Sequence, residues 1–269
     1  MGQTVLITGA SGGLGAEFAG IFAAEGFDLV LTARQTDKME KLASRLHEKY
    51  PVKITVLFSD LSRTDGAKIL YEEISERGIR IDQLVNNAGA GKAGRTIDIS
   101  PEILNDLINL NMVSVTMLCR LIGADMERQG YGKILNISSS AALFPDPWFN
   151  VYGPSKSFVL ALTEAMRGEL AGSGVTVTAL CPGPIRTGWA ENAGKAYPVI
   201  AEDPRKIARI GYRAMQRGAL KVLPTFSTKA GIFFLSLLPD PLKVAVGSCW
   251  QRAMIRKEKK NAPAQGNER

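Results

Sequence analysis

Histidine is nearly missing from this chain and cysteine is scarce: one His and three Cys in 269 residues. Cys119, Cys181 and Cys249 are an odd set without CxxC spacing, and two of them fall in apolar stretches. Free thiols in a reducing compartment are therefore expected, and a disulfide framework or a metal centre is not. His47 sits in a charged helical stretch, which leaves proton chemistry to other side chains. No Pro/Ser/Gly linker and no internal repeat divides the chain, so one domain is expected. The apolar run 231–238 (GIFFLSLL) is cut by Pro239-Asp240-Pro241 and Lys243, well short of the ~20 residues of a spanning helix. The start, Met1-Gly2-Gln3-Thr4, enters a strand pattern with no signal-like stretch, so a cytoplasmic protein is expected, or one peripheral to a membrane.

Acidic residues are few at the C-terminus. Net charge is +7, and residues 251–269 hold six basic residues (Arg252, Arg256, Lys257, Lys259, Lys260, Arg269) against Glu258 and Glu268. The basic run lacks interleaved aromatics and a surrounding module, which disfavours nucleic acid as a partner. A solvated terminus and weak attraction to anionic lipid both fit it. The chain thus divides into a main domain, 1–226, a helical appendage, 227–256, and a basic, disordered tail, 257–269. The appendage could pack on the domain, on a partner subunit or, through its apolar segment and basic flanks, on a membrane surface.

What is present is an alternation of short apolar strands with helices. Strands are expected at 3–8, 28–33, 52–58, 81–85, 133–137, 175–180 and 220–223. The helix at 101–128 is expected to break or kink near Asn109 to Asn111. This order implies a doubly wound, mainly parallel, seven-stranded α/β sheet with helices on both faces.

Between the first strand and first helix lies Thr8-Gly9-Ala10-Ser11-Gly12-Gly13-Leu14-Gly15. Such a loop makes a tight turn and lets backbone N–H groups approach a pyrophosphate at a helix N-terminus. The second strand ends in Ala33-Arg34 without a carboxylate. An acidic residue there holds the ribose 2′-hydroxyl of NAD, whereas arginine accommodates a 2′-phosphate, so NADP is preferred over NAD. Arg34 as a solvated strand-end charge is the other reading, and Lys38 is a potential helper. Asp60 either caps the next helix or accepts from an adenine amino group. Asn86-Asn87-Ala88-Gly89 ends the fourth strand with small and amide side chains that let the backbone approach a ribose. Asn111 is either a buried amide satisfied by neighbouring backbone or one whose local distortion holds a water.

Tyr152 and Lys156 stand four apart at the start of a helix expected over 152–170, hence on one face. A lysine beside a phenol lowers its pKa from about 10 toward neutrality, giving a general acid or base. Asn136-Ile137-Ser138-Ser139-Ser140 follows an apolar run and puts a hydroxyl at the carboxyl edge of the sheet, where ligands of open α/β sheets bind.

The ordered series Thr8-Gly9-x-x-x-Gly13-x-Gly15, Asp60, Asn86-Asn87-Ala88-Gly89, Asn111, Ser139, Tyr152-x-x-x-Lys156 and Pro182-Gly183 resembles the short-chain dehydrogenase/reductase superfamily. The likeness is to its one-domain branch and covers residues 3–223, implying a Rossmann-type fold. It implies that Tyr152 protonates a carbonyl oxygen, or deprotonates an alcohol, as hydride moves to or from a nicotinamide. Ser139 would bond the same oxygen, Lys156 would bind the nicotinamide ribose, and Asn111 would hold a water in the proton path. Gly9, Ser11, Gly13, Leu14, Gly15, Arg34, Asp60, Leu61, Asn87, Ala88, Gly89, Pro182, Gly183, Ile185 and Thr187 would join Tyr152 and Lys156 around NADPH, with Thr187 on the carboxamide. Gly12 stands where many NADP-using relatives carry a basic residue, so the preference rests on Arg34. Pairing of the helices from Pro101 and Tyr152 would give a homodimer or homotetramer.

Residues 141–145 (AALFP, with Phe144), Trp148 and Phe149 would line one side of the cleft, and Trp189, Ala190 and 197–200 (YPVI) the other. An apolar lining selects a hydrophobic ketone or its secondary alcohol. The stretch 188–203 would be a lid. Two other functions remain open: a dinucleotide-binding regulator or scaffold without turnover, and a same-fold epimerase or dehydratase.

Overall fold

Runs such as TVLIT, DLVLTA and VTVTAL are apolar almost throughout, as strands covered on both faces must be. They form β1 (Thr4–Thr8), β2 (Asp28–Ala33), β3 (Ile54–Phe58), β4 (Gln83–Asn86), β5 (Gly132–Ile137), β6 (Val175–Leu180) and β7 (Lys221–Val222). In the computed structural model, which describes residues 2–149, 151–196 and 201–261, with side chains to 256, these strands make one seven-stranded sheet. The order is β3-β2-β1-β4-β5-β6-β7 and every pairing is parallel. β7 is shorter than the sequence suggests, because Pro224 beyond it has no N–H to extend a ladder.

Between and after the strands run α1 (Gly13–Ala24), α2 (Thr36–His47), α3 (Gly66–Glu76), α4 (Pro101–Ile108), α5 (Ser114–Gln129), α6 (Tyr152–Glu169), α7 (Trp189–Asn192), α8 (Pro204–Gln216), α9 (Phe226–Ser236) and α10 (Asp240–Asn261). Helix starts follow their local chemistry. Ser100 caps α4 by accepting from the Ile103 N–H, and Asp203 caps α8 by accepting from the Arg205 N–H, each with proline in the first turn. Phe18, Phe22 and Met39 fill one face of the sheet under α1, α2 and α8, while Leu70, Leu118 and Val159 fill the other.

α4 and α5 are one interrupted helix. Asn109–Val113 forms a π-turn between them, the break expected near Asn109 to Asn111. By length and composition Pro101–Gln129 could cross a membrane, yet half of its apolar window is buried, packed on α3, α6, β4 and β5. It is a core helix of this domain.

Three expectations change. Asp60 does not cap α3, which starts after Asp65; its carboxylate accepts instead from the Ser62 N–H at 3.1 Å and hydroxyl at 2.7 Å, a turn of its own. The stretch 188–203, loop-like in composition, is not all loop, since Trp189–Asn192 is helical. α10 runs on to Asn261, into the predicted tail; residues 197–200 and 262–269 lie outside the described residues.

The chain reverses between β3 and β4, so β1 has β2 on one side and β4 on the other. Connections leave this point toward opposite faces, which opens a crevice at the carboxyl ends of β1 and β4. Thr8 to Gly15 and Asn86 to Gly89 emerge there.

Candidate active site

The two loops at the switch point are clasped together. The Thr8 hydroxyl accepts from the Asn87 and Ala88 N–H groups at 3.0 and 2.9 Å, and Asn87 Nδ2 donates to the Thr8 carbonyl at 2.9 Å. The approach is so close that a Cβ on Gly9, itself at φ 66°, would lie 2.9 Å from Ala88 Cα. Beyond the loop, a Cβ on Gly13 would meet Thr187 at 3.2 Å, so the residues after β6 reach the start of α1. Ile185 pairs with Glu202, and Pro182 accepts from the Ser140 N–H at 2.8 Å. Leu61 is buried in the core. Arg34 is exposed at the end of β2, close enough to help hold the Asp60 carboxyl below its usual range, an effect led by the Ser62 hydroxyl.

Asn111 points inward from the π-turn. Its Oδ1 accepts from the Ala90 N–H at 3.0 Å, and its Nδ2 donates to the Ala90 carbonyl at 2.8 Å and the Ser155 hydroxyl at 3.1 Å. A Cβ on Gly89 would sit 3.3 Å from Asn111 Oδ1 and 3.2 Å from Lys156 Nζ, so the glycine leaves room where the two groups converge. The Lys156 ammonium donates to the Ile137 carbonyl at 2.8 Å, and burial lowers its pKa to about 8.

Tyr152, on the same face of α6, is hydrogen-bonded to Ser139. The expectation of a lowered phenol pKa is reversed here. Burial raises it to about 12, outweighing the Ser139 bond, while the Asp146 carboxylate adds to the rise. Lys156 Nζ lies 5.7 Å from the ring centroid and is committed to Ile137, which is why it does not offset burial. At neutral pH this tyrosine carries its proton.

Aromatic rings cover the phenol. Trp189 lies 4.7 Å and Phe149 5.0 Å from the Tyr152 ring, centroid to centroid, and the Trp189 indole N–H donates to the Gly89 carbonyl at 3.0 Å. Trp189 therefore packs directly on the Tyr152 ring. Phe149 is fully buried behind it, and Phe144 is partly buried. Trp148 turns elsewhere: with φ 67°, it places its ring under the Arg252 guanidinium of α10 at 4.7 Å.

A profile of the short chain dehydrogenase family matches residues 3–198. The chain belongs to the short-chain dehydrogenase/reductase family. It is 34% identical over 191 residues to human 17-beta-hydroxysteroid dehydrogenase type 3, a match covering 70% of this chain and 60% of that enzyme's length. It is 34% identical over 195 residues to oxidoreductase UcpA of Salmonella typhimurium, covering 72% and 73%. Among solved structures, a short-chain dehydrogenase from Sphingobium yanoikuyae in complex with NADPH superposes with a TM-score of 0.79 at 31% identity, covering 88% of this chain and 96% of that one. A bulky-bulky ketone specific alcohol dehydrogenase from Comamonas testosteroni superposes with 0.75 at 29%, covering 88% and 95%.

As a member of this family the protein is a dehydrogenase/reductase of CH–OH and keto groups that uses a nicotinamide dinucleotide. The crevice fits that group. The Gly9 approach narrows the first turn, the α1 N-terminus offers its N–H groups, and the side of Gly12 is open, with nothing within 4 Å of where a Cβ would be.

Sequence reasoning missed one part of this short-chain dehydrogenase/reductase site. Asp146, buried beside the first turn of α6, accepts a hydrogen bond from Gln251 Nε2 of α10. Gln251 Oε1 accepts from Lys195 Nζ at 3.1 Å, and that ammonium lies 4.2 Å from the Phe149 ring centroid. Burial keeps the Asp146 carboxyl above its usual range and the Lys195 ammonium below its own. The C-terminal helix thus ties the 145–149 loop, Lys195 and the aromatic wall behind Tyr152 into one unit. The three residues are 49 to 105 positions apart in pairs, and no local pattern announces them. Gln251→Ala leaves a buried carboxylate short of a partner and is expected to cost about 1–3 kcal/mol. Thermal unfolding should shift down accordingly, and KM for the ketone should rise more than kcat falls; an unchanged melting temperature and KM would refute the latch.

Proposed function

We propose that the protein is an NADP(H)-dependent oxidoreductase that interconverts a hydrophobic ketone and its secondary alcohol, with Tyr152 as general acid/base. The observation that carries this reading is the Tyr152 phenol at the carboxyl edge of the sheet, bonded to Ser139 and followed one helical turn later by Lys156. Gly9 to Gly15 would hold the pyrophosphate of a dinucleotide, Asn87 to Gly89 and Lys156 its ribose, and Thr187 its carboxamide; when bound, the group would supply or accept hydride. Tyr152, protonated at neutral pH, donates to the carbonyl oxygen, while the Ser139 hydroxyl donates to the same atom. A charged Lys156 would favour the phenolate left behind once its bond to the Ile137 carbonyl yields. Asn111 and Lys156 converge beside Gly89, where one water would return a proton to Tyr152 from solvent.

The 2′-phosphate of NADP falls to Arg34, since β2 ends without a carboxylate. Phe144, Phe149 and Trp189 give the substrate side an apolar wall, which favours bulky ketones over polar ones. In the test, purified protein consumes NADPH faster than NADH with steroid, aryl or 3-oxoacyl ketones, and turns over small sugars poorly. Equal turnover of sugars would overturn the substrate class. Dinucleotide binding with no turnover of any ketone would return the regulator reading.

A homo-oligomer formed through α5 and α6 is part of the proposal. Met117, Phe158 and Leu162 on these helices are only partly buried within one chain. Light scattering at micromolar concentration should give a dimer or tetramer mass, and a monomer mass would refute it.

A further inference from the structure

α10 is inside out. Against the domain it turns Gly247 and Gln251, the glycine so close that a Cβ would stand 2.7 Å from the Pro145 carbonyl. To solvent it turns Val246 and Trp250, the tryptophan 47% exposed. α9 buries no residue at all, and Phe234 on it is 66% exposed, with Phe226, Phe233 and Leu237 beside it. Of fourteen large hydrophobic side chains exposed among the described residues, eight lie between 226 and 250. So many in one short segment are more than the singly scattered surface hydrophobics of a soluble domain.

Charge identifies the occupant. Residues 226–269 hold eight basic and three acidic residues, so this segment carries +5 of the protein's net +7. A second copy would set two such segments face to face, and like charges oppose that pairing. An anionic bilayer offers an apolar layer for the exposed rings and negative headgroups for the basic residues at once. We propose that the outer face of α9 and α10 docks on an anionic lipid surface. The helices lie in the interface rather than cross it, because α9 has only 11 residues and the inner face of α10 stays bound to the domain. The docked face is then one helix diameter, about 10 Å, from the loop that carries Phe149. This inference stands apart from the reaction proposed above.

The test is co-sedimentation of the full chain with vesicles of phosphatidylcholine, with and without phosphatidylglycerol, at low and high salt. Partitioning is expected to rise about tenfold or more with phosphatidylglycerol and to fall as salt screens it. The exposed double variant Phe233→Ser, Phe234→Ser should keep the melting temperature and lose about tenfold or more of binding. Lys257→Glu, Lys259→Glu and Lys260→Glu together should remove the dependence on phosphatidylglycerol. No binding to either vesicle, binding indifferent to headgroup charge, or binding unaltered in both variants would overturn the proposal. A wild-type chain that ignores vesicles but falls from oligomer to monomer in the double-serine variant would assign the face to a second copy.

Discussion

Tyr152→Phe is expected to lower kcat/KM for ketone reduction by about 10³–10⁴-fold, the upper range for losing a positioned general acid. Dinucleotide affinity and melting temperature should stay near wild type. The variant removes one oxygen and keeps the ring, so the contacts with Phe149 and Trp189 survive. A loss of affinity as large as the loss of rate would mean that Tyr152 builds the binding site rather than supplies the proton. The pH profile adds a second reading. A phenol held at about 12 is protonated across the working range, so it does not limit reduction there. Lys156, lowered to about 8, is charged below that pH and neutral above it. Reduction should therefore be level below pH 8 and decline above it as the ammonium is lost. A decline on the acid side instead would show that Lys156 acts in its neutral form.

Much of this site was legible because its parts are local. Glycine spacing reports a turn so close to its neighbour that no side chain fits, and Gly9, where a Cβ would stand 2.9 Å from the Ala88 Cα, is that turn. A spacing of four puts Tyr152 and Lys156 on one helix face wherever the helix packs. The break at Asn111 was visible as a polar residue in an apolar helix. What failed depended on tertiary surroundings. The phenol rises rather than falls because burial outweighs its bond to Ser139 and because the Ile137 carbonyl accepts the lysine's hydrogen bond, and the positions of Trp189 and Ile137 are set by elements remote in sequence from Tyr152. For Asp60 only the helix-cap alternative is removed, and by a local turn on Ser62, because α3 begins further along the chain. The Asp146 and Gln251 contact spans 105 residues, and the outward face of α10 can be read only once its glycine is seen against Pro145.

Arg34→Asp is expected to reverse or erase the cofactor preference, lowering the NADPH to NADH ratio of kcat/KM by about 10²-fold or more. A charge-assisted bond to the 2′-phosphate contributes about 1.5–3 kcal/mol, and a carboxylate in its place adds repulsion. The gain for NADH should be incomplete. Arg34 helps to hold the Asp60 carboxyl down, so a second carboxylate there places two like charges at one end of the crevice. Arg34→Ala separates these effects: it removes attraction without adding charge, so NADPH should weaken while NADH barely changes. If both variants keep the wild-type ratio, Arg34 is a solvated strand-end charge and another group sets the preference. The side of Gly12 is then the place to look, because it is open and lies on the same glycine loop.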